Sequence, residues 1–204
     1  MKKTANKAIS LILGTMILIM PVSVLADESD YGATGALSKD SYTIEDMITY
    51  AMEDEYLARA EYLAIMEKYG QIKPFTNIAK SESTHVALLK PLFENYGIAV
   101  PEDEAVKKVT APETLKDSYK AGVDAEMLNI EMYEKFLKED IPADVKAVLE
   151  KLKNASLKHL NAFQTNYDRA EGNVGVTTNQ NKGNQGRGLM RGRNRGSRTF
   201  NTSF

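Results

Sequence analysis

Phe75-Thr76-Asn77-Ile78-Ala79-Lys80-Ser81-Glu82-Ser83-Thr84-His85-Val86-Ala87-Leu88-Leu89 spaces its apolar side chains at steps of three and four. That is the period of an α-helix with one buried face. The stripe runs Phe75, Ile78, Glu82, His85, Leu89, Leu92, Tyr96, so a Glu-x-x-His pair stands in the middle of an otherwise apolar seam. Pro74 opens the segment and Gly97 closes it, as proline and glycine do at helix ends. Pro91 inside it predicts a kink or break near residues 87–91.

Three more segments share the period, and none reads as a strand. One runs from Thr43 to Tyr69, with Thr43 as N-cap, Glu45 and Asp46 in the first turn and Gly70 past the end. The others run from Pro112 to Lys138 and from Pro142 to Ala170. Connections of about four residues make the first and second helices one antiparallel hairpin, and the third and fourth another. Gly97 to Ala111 is longer and reaches up to about 50 Å at roughly 3.3 Å per residue. A helix of the second segment's length is about 35 Å long, so this connection can cross the full bundle. The expected fold is all-α: a four-helix bundle over residues 43–170, two antiparallel hairpins joined by a long crossover.

The ends differ from this middle. Residues 1–26 read as a secretory signal, with Lys2, Lys3 and Lys7, an apolar run from Ala8 to Met20, Pro21 as breaker and cleavage after Ala26. The expected location is secreted or extracytoplasmic, the alternative an uncleaved N-terminal membrane anchor. Residues 27–42 read as a linker. Residues 171–204, rich in Gly, Asn, Gln, Thr and Arg, are too poor in apolar residues to offset ordering and read as a disordered basic tail. The tail is +5, and with the three leader lysines it leaves −10 for residues 27–170 out of the chain's −2. Such a tail can bind anionic cell-envelope polymer or membrane surface, while the lack of interleaved aromatics argues against specific nucleic-acid binding. There is no cysteine, which excludes disulfides, thiolate metal sites and cysteine nucleophiles.

Every seam turns polar near its middle. The first reads Ile44, Ile48, Ala51, Glu55, Ala58, Tyr62, Ile65, Tyr69; the third Leu115, Tyr119, Gly122, Glu126, Asn129, Tyr133, Phe136; the fourth Val145, Leu149, Leu152, Ser156, His159, Phe163, Asn166. At a rise of about 1.5 Å per residue, Glu55, Glu82, His85, Glu126 and His159 fall in one band. His85 and His159 are the only histidines. A lone Glu-x-x-His is common on helices, and a lone core histidine is usually just hydrogen-bonded; the joint arrangement is what points to metal. Burying even one unpaired carboxylate costs several kcal/mol, so a core with three must neutralise them. Carboxylate and imidazole ligands suit iron, manganese or zinc.

At these residues the chain resembles a known family. Glu55-Tyr56-Leu57-Ala58-Arg59-Ala60-Glu61-Tyr62, followed by Phe75 to His85, looks like the first two helices of rubrerythrin-like and ferritin-like proteins, and is most similar to the domain of unknown function 2202 branch. Ala121-Gly122 before Glu126, and Ala155-Ser156 before His159-Leu160 and Ala162-Phe163, fit that branch too. The resemblance covers residues 40–170. It implies that Glu55, Glu82, His85, Glu126 and His159 ligate metal, and that the wider superfamily's di-iron reaction with dioxygen or peroxide is the chemistry to look for. Ser156 stands where better-known members carry a glutamate, and Asn129 where rubrerythrins carry another. The expectation is therefore one or two ions, iron first, with manganese or zinc as alternatives. A non-enzymatic cell-envelope protein with a degenerate site remains the competing reading.

Overall fold

The structure is a computed structural model, and it describes residues 30–172. The leader and most of the basic tail lie outside the described residues. Within them the chain is all-helical: α1 Gly32–Leu37, α2 Ile44–Tyr69, α3 Phe75–Tyr96, a single 3-10 turn at Ala105–Lys107, α4 Leu115–Phe136 and α5 Ala143–Ala170. None of the described helices is long and apolar enough to cross a membrane.

Local chemistry sets most of the boundaries. Thr43 Oγ1 accepts from the Asp46 amide at 3.1 Å while Asp46 accepts from the Thr43 amide at 2.8 Å, a reciprocal cap that starts α2. Thr114 does the same work for α4 by accepting from the Asp117 amide at 3.0 Å. That cap is why α4 begins after Thr114 rather than at the expected Pro112, whose carbonyl instead accepts from Tyr69. Gly97, at φ 65, ends α3 in the left-handed region that glycine tolerates best. The helix runs unbroken through Pro91, so the expected break is not there.

α2 packs along α3 and α4 along α5, and the two hairpins meet through α2 with α4 and α3 with α5. The crossover follows α2: Asp103 pairs with Arg59, and Pro112 O accepts from Lys68 and Tyr69 near the helix end. The buried residues of α3, α4 and α5 largely follow the expected seams, whereas α2 is also buried at Met47, Tyr50, Met52, Asp54, Tyr56, Ala60 and Met66, because α1 and the 3-10 turn pack on it as well. The buried apolar side chains form two clusters, one containing Ile48, Leu89, Phe93, Phe136 and Leu149, the other Tyr62, Ile65, Phe75, Ile78 and Phe163. Burying each such side chain contributes about 1.5–3 kcal/mol.

The segment read as a linker contains α1, which packs on α2 and α4. Its first amides are met by carboxylates of α2: Gly32 N donates to Glu53 at 3.1 Å and Ala33 N to Asp54 at 3.0 Å. Tyr42 OH donates to Ala36 O, and Tyr50 OH to Asp30, fastening both ends. The Gly-Ala-Thr-Gly-Ala composition hid the helix, because its formation depends on these tertiary partners rather than on propensity.

Candidate metal centre

Each long helix contributes from the middle of its buried face. α2 supplies Glu55, α3 supplies Glu82 and His85, α4 supplies Glu126, and α5 supplies His159, all buried. Two sets of three converge: Glu55 with Glu82 and His85, and Glu82 with Glu126 and His159, each with potential ligand atoms within 4.8 Å of one another. Glu82 belongs to both. Its Oε2 lies 2.7 Å from His85 Nδ1 and its Oε1 3.1 Å from His159 Nδ1. His85 Nδ1 also lies 3.0 Å from Glu55 Oε2, and His159 Nδ1 3.4 Å from Glu126 Oε1. The two imidazoles stack with centroids 5.7 Å apart. All five expected residues are therefore brought together.

Further groups hold these side chains in place. Tyr133 OH donates to Glu55 Oε1 at 2.8 Å and Tyr62 OH to Glu126 Oε1 at 3.0 Å. Ser81 Oγ lies 3.1 Å from His85 Nε2, fixing the ring so that Nδ1 faces the carboxylates. Tyr119, by contrast, stacks on Phe75 and is a core aromatic.

Charge is unevenly distributed in this cluster. Burial, then the charge of Glu82, raises the Glu55 carboxyl well above its ordinary value. Burial and Glu82 likewise raise Glu126, against the pull of His159. Glu82 feels burial too, but the two imidazoles on either side outweigh it and hold its carboxyl well below the ordinary range. Burial lowers both histidines, yet Glu55 and Glu82 carry His85 to about 10, and Glu126 and Glu82 carry His159 to about 9. Burial keeps Tyr62 and Tyr133 protonated, so both remain donors.

Four buried atoms have no hydrogen-bond partner here: Glu82 Oε1, Glu126 Oε2, Asn129 Oδ1 and His159 Nδ1. A buried polar atom left so costs about 1–3 kcal/mol. His159 Nδ1 approaches Glu82 Oε1 at ion-pair distance without hydrogen-bond alignment. Glu82 Oε1 and His159 Nδ1 face one another at 3.1 Å with neither in a hydrogen bond, and the carboxylate and imidazole groups of the two triads could hold a metal ion.

Two carboxylates beyond the seams were missed. Asp54 is buried on the other flank of α2 and Glu61 lies half-buried near Glu126. Burial above all lifts both to about 7, with the charge of Glu126 adding to it. Asp54 has a structural partner in the α1 amide, which the sequence reading could not anticipate without α1.

The profile of an uncharacterised protein domain, DUF2202, matches residues 44–125. An uncharacterised protein of Methanocaldococcus jannaschii, MJ0754, is 33% identical over 126 residues, covering 54% of this chain and 68% of that protein. The crystal structure of hypothetical protein MJ0754 superposes with a TM-score of 0.57 at 28% identity, covering 65% of this chain and 85% of that one. A hypothetical protein from Pyrococcus furiosus, Pfu-1136390-001, superposes with a TM-score of 0.55 over 70% of this chain and 97% of its own; at 20% identity that likeness concerns the fold alone.

Proposed function

Because the chain belongs to the DUF2202 family of uncharacterised domains, its chemistry has to come from its own side chains, and we propose that it is a ferritin-like four-helix-bundle protein that binds one or two transition-metal ions through Glu55, Glu82, His85, Glu126 and His159. The observation that carries this reading is the pair of buried triads sharing Glu82, with orphaned atoms on three of their members. Iron fits best, manganese and zinc next. Redox-active ions bound there would supply electrons to dioxygen or peroxide.

The chain's own part is to position and to exclude water. Glu82 turns one oxygen toward each imidazole. Tyr133 and Tyr62 fix the outer carboxylates, and the apolar clusters containing Phe136 and Phe163 pack close by. We propose further that the protein acts outside the cytoplasm, which N-terminal sequencing of secreted material beginning at Asp27 would support.

The test is metal content. Purified protein loaded anaerobically with Fe(II) or Mn(II) and desalted should retain one or two ions per chain by elemental analysis, and Glu82→Ala, which removes a member of both triads, should retain less than half of that. Wild-type protein that keeps no stoichiometric metal ends the reading.

A further inference from the structure

The two hairpins repeat one pattern. Glu55 and Tyr62 on α2 recur at the same spacing as Glu126 and Tyr133 on α4, and Glu82 and His85 on α3 recur as Ser156 and His159 on α5. The repeat is spatial as well. Each tyrosine donates to the opposite hairpin's glutamate, so α2 and α4 lie antiparallel about a local two-fold that also exchanges the stacked imidazoles.

This symmetry is broken at two buried positions of the second hairpin. Ser156, 2% exposed, stands where the two-fold would put a second spanning carboxylate opposite Glu82, and Asn129, 4% exposed, stands where the first hairpin has Ala58. The unpartnered atoms belong to the same hairpin or face it. In the first hairpin, Glu55 has both oxygens partnered and His85 both nitrogens. In the second, Glu126 Oε2, His159 Nδ1 and Asn129 Oδ1 all lack a partner, as does the Glu82 oxygen that faces His159.

We propose that the flank beside Ser156 and Asn129, opposite Glu82, is a binding position for a small monocarboxylate of acetate size. The proposal rests on the metal reading above. Serine differs from glutamate by the loss of a carboxymethyl group in exchange for a hydroxyl, so acetate is about the fragment that is missing. With two divalent ions bound, the occupancy this proposal requires, three carboxylates leave one positive charge, and a buried net charge favours a counter-ion. An asparagine amide can be turned end for end, offering its Nδ2 donors where Oδ1 now stands unpaired. The anion would then receive a hydrogen bond from Asn129 while completing the set of ligands.

Cobalt(II)-loaded full-length protein titrated with acetate at constant ionic strength, with chloride as control, tests this through the visible absorption of the ion. Wild type should give a saturable change that chloride does not reproduce. Ser156→Glu, which supplies the carboxylate covalently, should keep its cobalt and lose the response. Asn129→Leu should keep cobalt and need about tenfold more acetate, the worth of one hydrogen bond to a charged group. A wild-type response absent at stoichiometric cobalt, or one unchanged in both variants, overturns the proposal while leaving the metal reading intact. A chain that holds no cobalt by elemental analysis overturns both.

Discussion

Tyr133 gives its hydroxyl hydrogen to a carboxylate that sits on the other hairpin and is buried beyond the reach of water. Tyr133→Phe strips Glu55 Oε1 of that donor and should cost the metal-free protein about 1–3 kcal/mol, read from urea denaturation. Gly122 is constrained by space: a Cβ there would stand 2.7–2.8 Å from three ring carbons of Phe163. That ring is itself held by Tyr62 and Phe75, with centroids at 5.1 and 5.2 Å. Gly122→Ala should therefore lower the melting temperature, because overpacking at about 1–3 kcal/mol outweighs the roughly 1 kcal/mol that alanine gains in a helix. The five inward-pointing charged and imidazole groups were legible in the sequence, since a period of 3.6 assigns a face to every position. That Tyr62 and Tyr133 face inward near these groups was legible for the same reason, but which carboxylate each hydroxyl serves was not, because a hydroxyl's partner depends on the register of a helix far away in the chain.

The long helices announced themselves through caps, glycines and seams, whereas α1 did not. Its six residues are held by what α2 offers them, so Asp54→Ala should release it: the amide hydrogens of residues 33–38 should lose exchange protection while α2 to α5 keep theirs, at a cost of about 1–3 kcal/mol. Loss of protection throughout α2 would contradict that separation. Of the kink or break expected at Pro91 the break is absent: the helix is continuous there, with Leu89, Leu92 and Phe93 buried on either side of the ring. The correspondence between the hairpins was present in the sequence all along. It is hard to see there because the second turn is longer than the first and because Ser156 and Asn129 interrupt the match.

Acidity links the centre to the stability of the entire fold. Without metal, His85 and His159 gain affinity for protons on folding, rising from 6.5 to about 10 and about 9. The stability they contribute is complete below pH 6.5 and disappears as pH climbs through those folded values. Ionising Glu55, whose carboxyl is raised, adds to the loss. Glu82 has the opposite sign, and its contribution is lost only as pH falls below the ordinary 4.5. Urea midpoints of chelator-treated protein should therefore decline from pH 6.5 to 9.5. Metal requires neutral imidazoles, so the stabilisation gained on adding Mn(II) should grow over the same interval; parallel curves with and without the ion would refute the linkage.

The triads also differ in ancestry along the chain: Glu55, Glu82 and His85 all come from α2 and α3, whereas Glu82, Glu126 and His159 draw on both hairpins. A cation in the former would be grasped by one arm of the protein and leave the other held only by packing and by hydrogen bonds such as that from Tyr133 to Glu55. One in the latter would rivet the arms together, so that pulling them apart must first break coordinate bonds, and the two occupancies would part company under mechanical load.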